Sequence, residues 1–333
     1  MMKVTIKDVA KEAGVATSTV SRVLSNNSKI SDETKDRVNE AIKKLNYKPN
    51  AIARSLANNK TRILGVILPN EAQDLLTNSF FINAMKGISI YAQSKDYYIT
   101  YVFTKENKTE LDSIKDIVGA NLIDGIILLR AKENDKGINY LKEIKFPFSV
   151  IGRPEDSSDV LWVDNDNFQA TYNVVNKFIQ NGHKTIGFIG AIESLNMSKD
   201  RLKGYKMALE INGIEICKDL ILHGKDFNEL EGYNCMNELA NHNVSAVITT
   251  DDLLAFGVRK LLVNKNLNNI SLVGFNDTQL DKYQEPPLAS VNINADELGY
   301  YATKLLIEKL EDNNLENKHY IVKTEFIERE SFT

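Results

Sequence analysis

The chain has 333 residues, of which 43% are hydrophobic, 26% charged and 8% aromatic, a composition that excludes disorder as the main state and leaves room for two or three domains. Its apolar runs are short and broken by charge, well under the roughly 20 residues a membrane-spanning helix needs. Two cysteines, Cys217 and Cys235, are too few for a disulfide framework or a four-cysteine zinc site, and the start MMKVTIKDVAKEAG lacks the apolar core of a signal peptide, so a cytoplasmic protein is expected.

The net charge of −4 is unevenly spread: residues 1–62 carry 13 Lys and Arg against 6 Asp and Glu, and the remainder carries 28 against 39. A basic start on an acidic body suits a polyanionic partner for the start alone, because neutralised phosphates release counterions. A solvated basic surface is the plainer reading of the same charges.

Apolar spacing in the basic segment predicts three short helices. Ile6, Val9, Ala10 and Ala13 fall on one helical face, with Thr5 in a capping position and Gly14 closing the pattern. A second helix near 17–24 buries Val20, Val23 and Leu24 and leaves Thr17, Ser18, Ser21 and Arg22 outside. The third is capped by Ser31, places Asp32 and Glu33 where the helix dipole favours anions, and buries Thr34, Val38, Ala41, Ile42 and Leu45. Two helices around a glycine turn, the second with a polar and cationic face, form a helix-turn-helix suited to the major groove, where Arg22 matches guanine.

The segments VTIKDVAKEAGVATSTVSRVLSNNSKIS and ETKDRVNEAIKKLNYKPNAIARSLANNKTRILGVILP closely resemble the opening of the LacI/GalR family of bacterial transcription regulators. The resemblance implies a lambda-repressor-like all-α headpiece over residues 1–48, with Thr5, Thr17, Ser18, Ser21 and Arg22 at the DNA. Ala16 stands where the family commonly has Ser at the start of the recognition helix, and it has no side-chain oxygen to cap backbone donors, so capping is expected to shift to Thr17. Thr17 and Ser18 are too short for a two-pronged base contact, which leaves base reading to Arg22.

Residues 49–62 read as a hinge and linker. The short helix candidate Asn50–Ala57 follows Pro49 and is marginal alone, because nucleation is costly and few bonds repay it. The family resemblance implies that two such hinges lie in the minor groove, with Asn50, Ala53 and Leu56 at the DNA and Leu56 wedged into a base step. A plain linker with Leu56 packed on the body is the alternative.

From Ile63 onward, short apolar runs alternate with helix-length amphipathic stretches, an α/β pattern dominated by parallel pairing. Strands are predicted at 63–69, 97–104, 125–130, 148–152 and 160–164, then at 185–190, 220–223, 246–250 and 271–276, with helices at 167–181, 200–212, 229–241 and 252–264. Runs at 289–293 and 320–327 flank a last helix that begins after Asn294, a tail that fits crossings between two lobes.

The segments GHKTIGFIG, DRLKGYKMAL, TTDDLLAFGV, SLVGFNDTQL and TEFIERES extend the resemblance through the chain and imply a two-lobed, periplasmic-binding-protein-like α/β body over residues 63–333 for effector binding and dimerisation. Its N-lobe is expected at about 63–161 and 291–320 and its C-lobe at about 162–290 and 321–333. Open α/β sheets place ligands beyond their strand ends, which puts an effector between the lobes. The family's effector positions fall on Phe80, Phe81, Asp164, Arg201, Phe227 and Asn276, a mixture of aromatic faces and polar groups that suits a polyol. Phe80 and Phe81 also read as core, and Asp164 as a cap of the helix near Asn167. Relatives that bind galactosides or purines usually carry Asp at the position of Asn276; Asp251 and Asp277 lie close by and offer compensation. The chain looks most like the maltose-operon repressors of Gram-positive bacteria, which implies a maltose or malto-oligosaccharide effector. Another small molecule, or a corepressor protein, is the alternative within the family.

An enzyme is disfavoured, because the chain has no G-x-x-x-x-G-K-[ST] loop, no G-x-S-x-G elbow and no H-E-x-x-H pair. His183, His223, His242 and His319 are scattered; no metal site and no cofactor are expected. A transport solute-binding protein would share the lobes without the basic headpiece. The expectation is a homodimeric repressor on a palindromic double-stranded operator, without a membrane partner, and without the heptads of a tetramerising tail.

Overall fold

The computed structural model describes residues 4–24, 29–47, 60–68, 78–104, 107–267, 269–312, 315 and 317–333. The hinge positions Asn50, Ala53 and Leu56 lie outside the described residues. The chain divides into compact units Met1–Arg62 and Ile63–Thr333.

The first unit holds α1 (Ile6–Ala13), α2 (Thr17–Leu24) and α3 (Asp32–Lys44). Val9, Ala10, Ala13, Val20, Val23, Val38 and Ala41 form its buried centre, with Ile6, Leu24, Ile42 and Leu45 around it. Thr5 holds the entry to α1: its amide and hydroxyl both donate to the Asp8 carboxylate, at 2.8 and 2.7 Å. Gly14 ends that helix at φ +63°, a left-handed conformation that glycine adopts without a Cβ penalty. The expected shift of capping to Thr17 does not occur. Thr17 is already helical, and the Ala16 carbonyl accepts the first amides, from Thr19 and Val20 at 2.9 and 3.2 Å, so Ala16 itself fills the cap position. Ser31 precedes α3 as expected, but its hydroxyl pairs with that of Thr34 at 2.9 Å instead of with a backbone amide.

Among the described residues, the second unit contains two six-stranded sheets. In the first, β1 (Ile63–Leu68), β2 (Tyr98–Phe103), β3 (Gly125–Leu128), β4 (Phe148–Ile151), β5 (Leu161–Asn165) and β11 (His319–Val322) are all parallel, in the order β2-β1-β3-β4-β5-β11. The second runs β7 (Ile221–Gly224), β6 (Ile186–Ala191), β8 (Ala246–Thr249), β9 (Ser271–Phe275), β10 (Ala289–Asn292) and β12 (Glu325–Ile327), with only β12 antiparallel to its neighbour. The central strands β1, β3, β4, β6, β8 and β9 are apolar and buried nearly throughout, as parallel strands covered on both faces must be.

Helices cover both sheets: α4 (Ser79–Ser94), α5 (Glu110–Gly119), α6 (Lys136–Glu143) and α11 (Ala295–Glu311) in the first lobe, and α7 (Asn167–Gln180), α8 (Asn196–Ile211), α9 (Glu229–Leu239) and α10 (Asp252–Asn264) in the second. The α4 and α11 backbones touch through small residues. A Cβ on Gly87 would sit 1.8 Å from the Asp296 carbonyl oxygen, and one on Gly299 would sit 2.1 Å from that of Ala84.

The lobe boundaries fall a few residues later than the sequence suggests. β5 stays in the first sheet through Asn165, β10 stays in the second through Asn292, and the predicted strand 320–327 is two strands, β11 and β12, in different sheets. Hydropathy alone cannot find these points, because a buried strand is equally apolar in either sheet. A single side chain ties the three crossings together: Asn165 Nδ2 donates to the carbonyls of Ile293 and Val322, both at 3.0 Å.

Candidate functional site

Between the lobes lies a cleft of about 1080 Å³, open mouth included, and all six effector positions named from the sequence line it: Phe80, Phe81, Asp164, Arg201, Phe227 and Asn276. Elements of both lobes meet here, β1, α4, β4, β5 and α11 of the first and α7, α8 and several strand-end loops of the second, because the strand ends of both sheets face the gap.

Asn78 caps α4, its Oδ1 accepting the Phe80 amide at 3.0 Å, and this start to the helix sets the half-buried rings of Phe80 and Phe81 edge to face, 5.2 Å apart. Both rings also pack against the buried core, so the core and cleft readings hold together. Phe227 adds a half-buried ring from the second lobe.

Arg201, on α8, is 3% exposed. Its Nε donates to Asn167 Oδ1 at 2.9 Å, its Nη1 donates to the Thr250 carbonyl at 2.6 Å, and its guanidinium lies 4.0 Å from the centre of the Phe275 ring. Burial lowers its pKa to about 10. Asp164, the last residue but one of β5, is a buried acceptor: its carboxylate takes the amides of Arg153 and Asn165, each at 2.8 Å, and Asn167 Nδ2 at 2.9 Å. It does not cap α7, a task carried by Asp166, which accepts the Gln169 amide.

Asn276 follows β9 at φ +110°, and its Nδ2 donates to Asp251 Oδ2 at 2.8 Å. Asp251 caps α10 through the Leu253 amide at 2.8 Å and also accepts Asn78 Nδ2 at 3.3 Å from across the cleft. Burial pushes both Asp164 and Asp251 up to about 6. Asp251 thus supplies an acid beside Asn276, whereas Asp277 points its charge elsewhere, onto Arg329 at 2.5 Å. Asn78 and Asn167 belong to none of the motifs in the sequence that point to the cleft. An asparagine just before a predicted helix signals a cap, but nothing in a linear pattern shows which partner its other end meets.

At the mouth, the loop after β3 pairs with the loop after β6. The Glu133 amide donates to Ser194 O at 2.8 Å, the Asn196 amide to Ala131 O at 3.2 Å, and Asn196 Nδ2 to Arg153 O at 2.9 Å, while Lys199 bridges to Glu133 at 2.8 Å. These bonds draw the lobes together around an interior that offers aromatic faces, carboxylate acceptors and amides in both polarities. Such a set suits a neutral polyhydroxylated molecule.

In the first unit, Thr17, Ser18, Ser21 and Arg22 are all exposed on α2, at spacings that place them on one face. Thr5 is exposed at the start of α1, and its hydroxyl proton is committed to Asp8, whose pKa this bond lowers. Among the described residues no helix is long and apolar enough to cross a membrane, and no three His, Cys, Asp or Glu side chains cluster as metal ligands would.

A helix-turn-helix unit joined to a two-lobed body with a polar, aromatic-lined cleft defines a ligand-responsive DNA-binding regulator. Residues 5–50 match the model of the bacterial regulatory proteins of the lacI family, and residues 175–332 match the periplasmic binding protein-like domain. The HTH-type transcriptional regulator MalR of Streptococcus pneumoniae is 39% identical over 317 residues, covering 94% of each chain. The solved complex of the transcriptional regulator CelR with cellobiose superposes with a TM-score of 0.77 at 26% identity, over 99% of this chain and 100% of that one. A Staphylococcus structure described as a "probable maltose operon transcriptional repressor malR" superposes with a TM-score of 0.75 at 25% identity, over 82% of this chain and 98% of that one. The chain belongs to the LacI family. It is a DNA-binding transcriptional repressor, not an enzyme, with operator DNA and a small-molecule effector as its partners.

Proposed function

We propose that this repressor controls maltose or maltodextrin utilisation and leaves its operator when maltose or a malto-oligosaccharide fills the cleft between the lobes. The observation that carries this reading is the cleft itself: the rings of Phe80, Phe81 and Phe227 offer flat apolar faces, and Asp164, Asp251, Asn276 and Arg201 offer hydroxyl partners. Sugars present that combination of apolar ring faces and hydroxyl edges. The CelR structure solved with cellobiose, and the structure described as a probable maltose operon repressor, support the same class of ligand.

In this reading residues 1–48 are the DNA-reading domain, 49–62 the hinge and 63–333 the effector-binding and dimerising body, all acting in the cytoplasm, where the operator is. Two headpieces grip a palindrome, since two-fold protein symmetry matches two-fold DNA symmetry. Thr17, Ser18, Ser21 and Arg22 face the major groove, Thr5 meets the backbone, and Asn50, Ala53 and Leu56 of paired hinges enter the minor groove. Sugar and operator then disfavour each other by reciprocal coupling. A mobility-shift titration on a palindromic operator at fixed salt, with maltose, maltotriose, other sugars and purines, tests this directly. Release by maltosides alone is expected, and an unchanged shift with them overturns the effector assignment.

A further inference from the structure

We infer that Asn78 is a positioning residue of the effector cleft, using the two ends of one amide to cap α4 and to hold Asp251 of the opposite lobe. This inference rests on the effector reading above.

Asn78 Oδ1 accepts the Phe80 amide at 3.0 Å, and its Nδ2 donates to Asp251 Oδ2 at 3.3 Å, 173 residues away in sequence. Asp251 is itself the cap of α10, so one contact joins the starts of two helices from different lobes. Asp251 is 4% exposed, and a buried carboxylate is costly unless donors surround it. Leu253 N donates to Oδ1, while Asn276 and Asn78 both donate to Oδ2. Oδ2 thereby fills its two lone pairs, and Oδ1 keeps one for a hydroxyl of a bound molecule. The Asn78 bond and a ligand bond to Asp251 are therefore compatible. Asn78 can make its half only when the lobes are together, so whatever it contributes is gained on closure and adds to the affinity for a ligand that closes them.

The residue type is specific to this double task. Ser, Thr and Asp also cap helices, but Asp would set a second anion against Asp251, and Ser and Thr are too short to cap and cross the cleft with one group. Only asparagine among the capping side chains carries an acceptor and a separate donor. Asn78 also fixes the start of the helix that carries Phe80 and Phe81, so cross-cleft contact and ring placement move as one.

The test uses the full-length protein, with maltose as the probe, in calorimetric titrations of the wild type, Asn78→Ser and Asn78→Asp. Both variants keep a capping oxygen. Asn78→Ser is expected to weaken maltose binding about five-fold, the effect of one modest hydrogen bond, and Asn78→Asp by more; equal affinities in all three overturn the inference. If the wild type itself ignores maltose, the effector assignment fails separately. A double-mutant cycle of Asn78→Ser with Asp251→Ala, read as thermal stability without sugar, then decides the contact. Coupled changes support the cross-cleft bond, and additive changes overturn it.

Discussion

Arg201 reaches Asp164 only through Asn167. The guanidinium Nε donates to the Asn167 carbonyl oxygen at 2.9 Å, and the Asn167 amide nitrogen donates to Asp164 Oδ1 at the same distance. An amide is therefore inserted into what would otherwise be a buried ion pair, and it leaves each charged group with capacity for a ligand while holding both in fixed orientation. Arg201 is further locked by the Thr250 carbonyl and the Phe275 ring, so the cleft is organised before any sugar enters.

That arrangement depends on the planar fork of arginine. In Arg201→Lys a single ammonium cannot meet Asn167 and Thr250 together or stack on Phe275. Sugar affinity is expected to fall by about ten-fold or more, which leaves a repressor that stays on its operator at sugar concentrations that release the wild type. Calorimetry and a mobility-shift titration measure the two effects, and retained sugar response would contradict the role given to Arg201.

Burial raises Asp251 to about 6 in the folded chain, against roughly 3.9 for an unfolded aspartate. Between those values the folded chain binds more protons, so stability from this group is lost as pH rises from about 4 to 6, and the full penalty stands above that. Asp251→Asn removes the titration. The unfolding free energy of the variant relative to wild type should therefore improve by about 2–3 kcal/mol between pH 4 and pH 7. Urea denaturation at both pH values measures this difference, and a pH-independent gap would show that Asp251 titrates normally.

Asn165 holds the three lobe crossings, and Asn165→Ala leaves the carbonyls of Ile293 and Val322 without that donor. The body is expected to lose about 1–3 kcal/mol. Hydrogen exchange should rise around residues 165, 293 and 322 before it rises in the sheet centres. Uniform protection across the body would argue against a hinge staple.

In the headpiece, Arg22 is the side chain on the exposed α2 face best able to make two hydrogen bonds to one base. Arg22→Ala should cost about 1–3 kcal/mol of operator binding and relax discrimination at one base pair, with a smaller loss on unrelated DNA. Parallel mobility shifts on operator and scrambled duplexes measure the split. Equal losses on both would reduce Arg22 to a phosphate contact.

Much of this protein is determined by linear pattern. The 3.6-residue spacing of Ile6, Val9, Ala10 and Ala13, and of Val20, Val23 and Leu24, defines the headpiece helices, because burial of one face is a local property of the sequence. The apolar runs of β1, β3, β6 and β8 announce a buried parallel sheet for the same reason. Six cleft residues were also legible, through family motifs. Only the tertiary structure decided which sheet each tail strand enters, that Asp164 accepts hydrogen bonds instead of capping a helix, and that Asn78, Asn167 and Asn165 act as bridges. An asparagine offers an acceptor and a donor at once, and which groups they meet depends on chain segments up to 173 residues apart. That choice is made when the lobes pack, and no local period encodes it.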